Sequence, residues 1–107
     1  MTQVFTEDPV LDRIRSELRR LYGDRIERIV LFGSRARGDA HEESDYDVAV
    51  FLKKMTDRWT ELDRLTELCT DILAETGAFI DAKAYEARAY SARTPLMFEI
   101  HREGIDL

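Results

Sequence analysis

The stretch that decides the fold is "LFGSRARGDAHEESDYDVAVFL", residues 31–52. It begins at the end of one apolar run, passes through a polar loop and ends in a second apolar run over 46–52. Runs that are apolar on both faces are typical of central strands. Folding alone requires neither the Gly-Ser pair that follows the first run nor the two aspartates that open the second, so both are candidates for function.

The rest of the chain predicts helices alternating with strands. Helix starts are indicated by Asp or Thr before the first turn, often with proline, and helix ends by glycine. The predicted elements are a helix from Asp8-Pro9 to Gly23, strands over 25–32 and 46–52, a helix from Thr56 to about Thr76, a strand over 78–85, a helix from Thr94-Pro95 to Gly104, and a short edge strand in "IDL". This order predicts one α/β (α+β) domain over residues 1–107, with a small mixed sheet of three or four strands packed with helices.

The long helix after Thr56 has an apolar side and a charged side. The apolar positions recur at helical spacing, which predicts a buried stripe of Trp59, Leu62, Leu65, Cys69, Ile72 and Leu73. The charged side is rich in acids and is either a solvated helix face or a surface that meets a partner.

Composition excludes several classes of protein. The formal net charge of −6 argues against general affinity for nucleic acid, although Arg35 and Arg37 could form a local basic patch. No apolar run is long enough to span a membrane, and "MTQVFTEDPV" lacks the features of a secretory signal. A single cysteine cannot form an internal disulfide, which is consistent with a reducing compartment. A cytoplasmic location is therefore expected.

Asp45 and Asp47 form the first candidate metal site. Residues two apart on a strand project from the same face, so the two carboxylates should lie close together and repel. A divalent cation between them would relieve the repulsion, and Mg²⁺ prefers carboxylate oxygens. The alternative is structural, with Ser44-Asp45 forming a turn and Asp47 accepting backbone hydrogen bonds.

Asp81 is the third candidate carboxylate. It lies in the middle of "FIDAKAY", although aspartate is disfavoured inside strands. If this strand lies beside the one that carries Asp47, all three carboxylates lie on one face. The alternative is an edge-strand charge that pairs with Lys83 or an arginine.

The loop "GSRARG" is a candidate phosphate site. Gly33 lets an anion approach the backbone closely, and the Ser34 hydroxyl adds a donor. Arg35 and Arg37 supply cations that could hold phosphate or offset the aspartates. The alternative is an ordinary helix start followed by two surface arginines.

Together these parts suit phosphoryl or nucleotidyl transfer with two metal ions. Two cations can bind a nucleotide triphosphate, activate the attacking oxygen and stabilise the leaving pyrophosphate. No catalytic histidine or cysteine is required. Accordingly, His41 and His101 are interpreted as solvated, and Cys69 as part of the core.

These residues resemble the DNA polymerase beta-like nucleotidyltransferases, and most closely the minimal nucleotidyltransferase (MNT) proteins. The shared pattern is Gly-Ser, ten residues, then Asp-x-Asp, with a third carboxylate on a later strand, and Gly33-Ser34, Asp45-Tyr46-Asp47 and Asp81 fit it. The resemblance implies the polymerase-beta-like fold and two Mg²⁺ ions held by Asp45, Asp47 and Asp81. It also implies that Asp81 assists the acceptor hydroxyl, while Gly33 and Ser34, with Arg35 and Arg37, bind the triphosphate of ATP.

The resemblance also implies a partner. A domain of this size lacks the extra parts that grip an acceptor, and many minimal relatives are antitoxins that transfer AMP to a tyrosine of a HEPN-domain ribonuclease toxin. We therefore expect a hetero-oligomer with such a toxin. Two alternatives remain: a non-catalytic module that neutralises its partner by occlusion, and nucleotidyl transfer to a small molecule.

Overall fold

The computed structural model describes residues 8–107, and residues 1–7, which form most of the stretch that bears on a secretory signal, lie outside it. Its elements are α1 (Pro9–Tyr22), β1 (Ile26–Phe32), α2 (Ser34–Arg37), β2 (Tyr46–Leu52), α3 (Arg58–Thr76), β3 (Ile80–Glu86), α4 (Pro95–Glu103) and β4 (Ile105–Asp106), with 3-10 turns at Gly23–Arg25 and Ala87–Ser91. None of the helices in this described part is long and apolar enough to cross a membrane.

The four strands form one mixed sheet in the order β3-β2-β1-β4. β1 pairs antiparallel with β2 and with β4, whereas β2 and β3 are parallel. The two strands that are apolar on both faces, β1 and β2, are therefore the central ones, as predicted. The strand that carries Asp81 is an edge strand, and "IDL" supplies the other edge.

Each face of the sheet has its own apolar layer. Because side chains alternate along a strand, Val48 and Val50 face α1 and α3, where they pack with residues such as Ile14 and Ile72. The opposite face carries Phe51, which packs against the Ala87–Ser91 turn and α4 in a second cluster that contains Val30, Ala49, Met97 and Ile100. Asp47 belongs to this second face, by alternation with Ala49 and Phe51.

The helix starts follow capping chemistry. The side chain of Asp8 accepts the N–H of Val10, and that of Thr94 accepts the N–H of Met97, so α1 and α4 begin where predicted. For α3 the predicted cap was wrong by one residue: Asp57, not Thr56, accepts the N–H of Trp59. A carboxylate also interacts more favourably than a hydroxyl with the positive end of a helix.

The predicted buried stripe of α3 was partly wrong. The buried line of the helix follows Glu61, Leu65, Leu68 and Ile72, whereas Trp59 is 68% exposed and Leu62 is 43% exposed. Glu61, paired with Arg25, occupies the buried line, so Trp59 and Leu62 lie off that line and line a shallow pocket with Lys83 and Tyr85 of β3. Cys69 is half-buried against the core, where burial raises the pKa of its thiol.

Glu61 is a buried acid held by an arginine. Its Oε2 accepts a hydrogen bond from Arg25 Nη2 at 2.8 Å, and the same nitrogen donates to the carbonyl of Lys54 at 2.9 Å. The Glu61 side chain is 5% exposed. Burial opposes its ionisation, but the hydrogen bond and charge of Arg25 outweigh burial and hold the pKa of Glu61 below its ordinary value.

We expect Glu61→Gln to lower the free energy of unfolding at pH 7 by about 1–3 kcal/mol, since a charge-assisted hydrogen bond is lost inside the protein. A depressed folded pKa stabilises the protein above the unfolded pKa, and that stabilisation is lost as the pH falls through the folded pKa. Urea unfolding at several pH values should therefore show the two proteins converging below about pH 4. Glu67→Gln, an exposed change on the same helix, is the control, and an equal loss of stability in both variants would contradict the assignment.

Candidate active site

The loop after β1 lies directly against Asp47. Gly33 has φ 76° and ψ −161°, and its carbonyl accepts the N–H groups of Ala36 and Arg37 at 3.0 Å each, which begins α2. A Cβ atom at Gly33 would overlap Asp47 Oδ2. Both the left-handed φ and this close approach require glycine. Gly33 and Asp47 are therefore adjacent, and Ser34 is the first residue of α2.

The predicted placement of Asp81 beside Asp47 is confirmed. In the parallel pairing of β2 with β3, Asp47 is the register partner of Asp81. Register partners on neighbouring strands project from the same face of a sheet about 5 Å apart. Asp45 lies one residue before β2, exposed, at the end of the loop. All three carboxylates thus border the open end of the face that carries α4.

Asp47 is the carboxylate most affected by this arrangement. Burial raises its pKa above the ordinary value, and the charges of Asp81 and Asp45 raise it further. Lys83 partly offsets this repulsion, whereas Glu99 on α4 adds to it. The site therefore carries more negative charge than its own cations neutralise.

The sequence alternative for Asp81, pairing with Lys83, is also present. Lys83 Nζ donates to Asp81 Oδ1 at 3.2 Å and to Oδ2 at 3.3 Å, and the Asp81 side chain is 51% exposed. Among residues 8–107 no three His, Cys, Asp or Glu side chains are gathered closely enough to hold a metal ion. Asp81 thus lies beside Asp47 as predicted, but its carboxylate accepts hydrogen bonds from Lys83 on its own strand.

The donor set nevertheless fits a divalent cation of the Mg²⁺ type. Carboxylate oxygens are its preferred protein ligands, and such ions need only one or two of them because they retain water. A cation beside Asp47 would relieve the repulsion that raises its pKa. Asp47 would hold it, together with Asp45 or Asp81.

Both arginines of the loop contact protein groups. The Arg35 guanidinium lies 4.2 Å from the centre of the Tyr46 ring and donates to the carbonyls of Ser44 and Glu42. Arg35 therefore connects α2 with the loop that precedes β2.

Arg37 makes two ion pairs. Its Nε donates to Asp39 at 3.1 Å, and its Nη1 donates to both carboxylate oxygens of Glu103 at 3.1 and 3.2 Å. These contacts orient the guanidinium along the rim of the loop.

Glu103 is a site residue that the sequence did not reveal. Its Oε1 accepts the N–H of Gly33 at 2.8 Å, so the last residue of α4 is bonded to the loop. An acid in "HREG" at a helix end resembles an ordinary surface residue. No local pattern connects it with a loop 70 positions earlier in the chain.

A family model for the nucleotidyltransferase domain matches residues 11–94, which include the loop and all three aspartates. The chain belongs to the nucleotidyltransferase domain family. Its mixed sheet with flanking helices is the fold of that family.

Similar proteins lie within the same group of nucleotidyltransferases. A candidate protein adenylyltransferase of Methanocaldococcus jannaschii, MJ0604, is 37% identical over 100 residues, which are 94% of this chain and 92% of the relative. A second candidate protein adenylyltransferase of that organism, MJ1305, is 32% identical over 88 residues, which are 79% of this chain and 58% of the relative.

Solved structures agree with these sequence relatives. A toxin–antitoxin complex with AMP-PNP contains a chain with a TM-score of 0.61 and 26% identity, covering 89% of this chain and 69% of that one. A candidate minimal nucleotidyltransferase has a TM-score of 0.59 and 25% identity, covering all of this chain and 97% of the other. The resemblance to minimal nucleotidyltransferases, and to MNT antitoxins, is thereby confirmed.

Proposed function

We propose that this nucleotidyltransferase transfers AMP from ATP to a tyrosine of a HEPN-domain ribonuclease toxin and thereby acts as its antitoxin. The observation that carries the proposal is the single site formed by Gly33, Asp47 and Asp81, in which a phosphate loop touches one carboxylate of an adjacent pair. The description of a relative as a candidate protein adenylyltransferase supports transfer to a protein. The similar chain in a toxin–antitoxin complex with AMP-PNP supports the partner and the nucleotide.

The residues divide into two groups. Gly33 lets the triphosphate approach the backbone closely, and the Ser34 hydroxyl donates to it, while Arg35 and Arg37 add positive charge along the rim of the same loop. Asp45, Asp47 and Asp81 would hold two Mg²⁺ ions. When bound, such ions neutralise the triphosphate charge and stabilise the attacking and leaving oxygens.

In the transfer step the phenolic oxygen of the acceptor forms a bond to the α-phosphorus of ATP. The bond from that phosphorus to the bridging β-phosphate oxygen breaks, and pyrophosphate leaves with its electron pair. Asp81 takes the phenolic proton, since it lies half-exposed on the edge strand where an acceptor from outside can reach it. The product is an AMP–tyrosine phosphodiester, whose added charge would obstruct RNA binding by the toxin.

The test is transfer of label. The protein mixed with its partner, Mg²⁺ and ATP labelled at the α-phosphate should label one or more tyrosines of the partner, identified by mass spectrometry, and omission of Mg²⁺ should prevent it. Neutralisation of the toxin that persists in the Asp45→Asn/Asp47→Asn double variant would instead favour occlusion. Label that appears on a small hydroxyl compound in an acceptor screen, and never on protein, would overturn the proposed acceptor.

A further inference from the structure

Glu103 is nearly buried at the back of the phosphate loop. Its side chain is 8% exposed, although it is the last residue of α4 and is followed by Gly104. Three hydrogen bonds surround the carboxylate, one from the Gly33 N–H and two from Arg37 Nη1. An acid at this depth is costly unless its bonds are satisfied.

The carboxylate remains charged at neutral pH. Burial opposes ionisation of Glu103, but the Gly33 N–H and the Arg37 guanidinium outweigh burial and hold its pKa below the ordinary value. A fixed negative charge beside a site for triphosphate would by itself weaken nucleotide binding. Its presence there therefore calls for a compensating role.

The contacts of Glu103 indicate that role. Gly33 begins the 33–37 turn and Arg37 ends it, so one carboxylate bonds both ends of the turn. The Gly33 N–H donates to Glu103 of α4, and a Cβ atom at Gly33 would meet Asp47. Glu103 thus restrains the segment that is proposed to receive phosphate.

We propose that Glu103 is a positioning residue for the nucleotide: it holds the 33–37 turn in the shape that accepts the triphosphate and orients Arg37 along its rim. This inference rests on the proposed nucleotidyl transfer and adds to it a residue outside the family pattern of Gly-Ser and aspartates. A preorganised loop makes binding tighter because less conformational freedom is lost when the ligand binds.

The test compares Glu103→Gln with the wild type. We expect the KM for ATP and the dissociation constant for AMP-PNP to rise about tenfold, the equivalent of one charge-assisted hydrogen bond, while kcat changes less. Measured by NMR without nucleotide, hydrogen exchange of the Gly33 amide should become faster. Glu43→Gln, an exposed loop change of the same kind, should leave all of these values unchanged. If Glu103→Ala fails to fold, Glu103→Gln still tests the inference, because glutamine keeps the shape of the side chain.

Arg37→Gln tests the orientation of the arginine. In that background Glu103→Gln should raise the KM less than it does in the wild type, because the partner of the carboxylate is already gone. Full additivity of the two changes, or a KM that is unchanged or lower in Glu103→Gln, would overturn the inference. Failure of the wild type to bind AMP-PNP would overturn the proposed function instead, and the exchange of the Gly33 amide would then separate a structural contact from a nucleotide role.

Discussion

Replacing Asp47 by asparagine is expected to reduce AMP transfer by about a thousandfold or more, the equivalent of several kcal/mol of transition-state stabilisation. Asp47 contacts Gly33 of the loop and has an acidic register partner, Asp81, on the neighbouring strand. Asparagine keeps the shape of the side chain and removes the charge that would hold the metal. The measurement is single-turnover transfer from labelled ATP under saturating nucleotide.

The same variant should be more stable than the wild type in the absence of divalent cations. The folded pKa of Asp47 lies above its unfolded value, so its stabilising contribution is complete below the unfolded pKa and is lost as the pH rises through the folded pKa. The Tm difference between Asp47→Asn and the wild type should therefore be positive at pH 7 and vanish below about pH 4.

Mg²⁺ should raise the Tm of the wild type and not that of Asp47→Asn, since a ligand stabilises only the state that binds it. The control is Asp71→Asn, which removes one exposed negative charge from α3 and should respond to Mg²⁺ as the wild type does. Transfer that persists in Asp47→Asn, or an equal response of both variants to Mg²⁺, would disprove the metal assignment.

Gly33→Ala is expected to abolish nucleotide binding and to destabilise the protein. The φ of 76° combined with a ψ of −161° is a backbone conformation open essentially to glycine, and it costs an alanine about 1–3 kcal/mol. The overlap of the new methyl group with Asp47 Oδ2 adds a cost of about 1–3 kcal/mol and displaces the carboxylate from the loop. The measurements are urea unfolding and binding of AMP-PNP.

Gly77→Ala is a matched control for this change. Gly77 has φ 80° at the end of α3, and a Cβ there would meet no atom within 4 Å. Its substitution therefore carries the backbone cost alone and should lose about 1 kcal/mol of stability with nucleotide binding intact. Nucleotide binding that is retained equally in the two variants would show that Gly33 is needed only for its backbone conformation.

The sequence predicts the parts of this site that are close together in the chain. The apolar run of β2 was predicted with its observed bounds, and the spacing from Gly33 to Asp47 is specific because a hairpin brings the end of β1 to the start of β2. Asp81 was identified because an acid inside a strand contradicts the preference of that structure. The strand that carries Asp81, β3, pairs parallel with β2, and α3 connects the two strands. β3 begins two residues later than predicted.

The parts that sequence reasoning missed depend on orientation and on distant contacts. The spacing of apolar residues in α3 fits a stripe that includes Trp59 and Leu62, and nothing in that spacing reveals that Arg25 turns Glu61 inward. Glu103 is missed for a similar reason, because its partner Gly33 lies on another element far along the chain. In both cases a buried acid is stabilised by a hydrogen-bond donor that is distant in the sequence.

The parallel pairing of β2 with β3 also determines how reliably the acids come together during folding. Side chains alternate along β3, so Ala82 and Ala84 pack against the core beneath α3 whenever Asp81 faces Asp47. A slip of one residue would move Asp81 and Lys83 into that apolar layer and place an alanine at the site. The hydrophobic core therefore selects the register that brings Asp81 beside Asp47: a chain that folds with its apolar layer intact also places these two acids together.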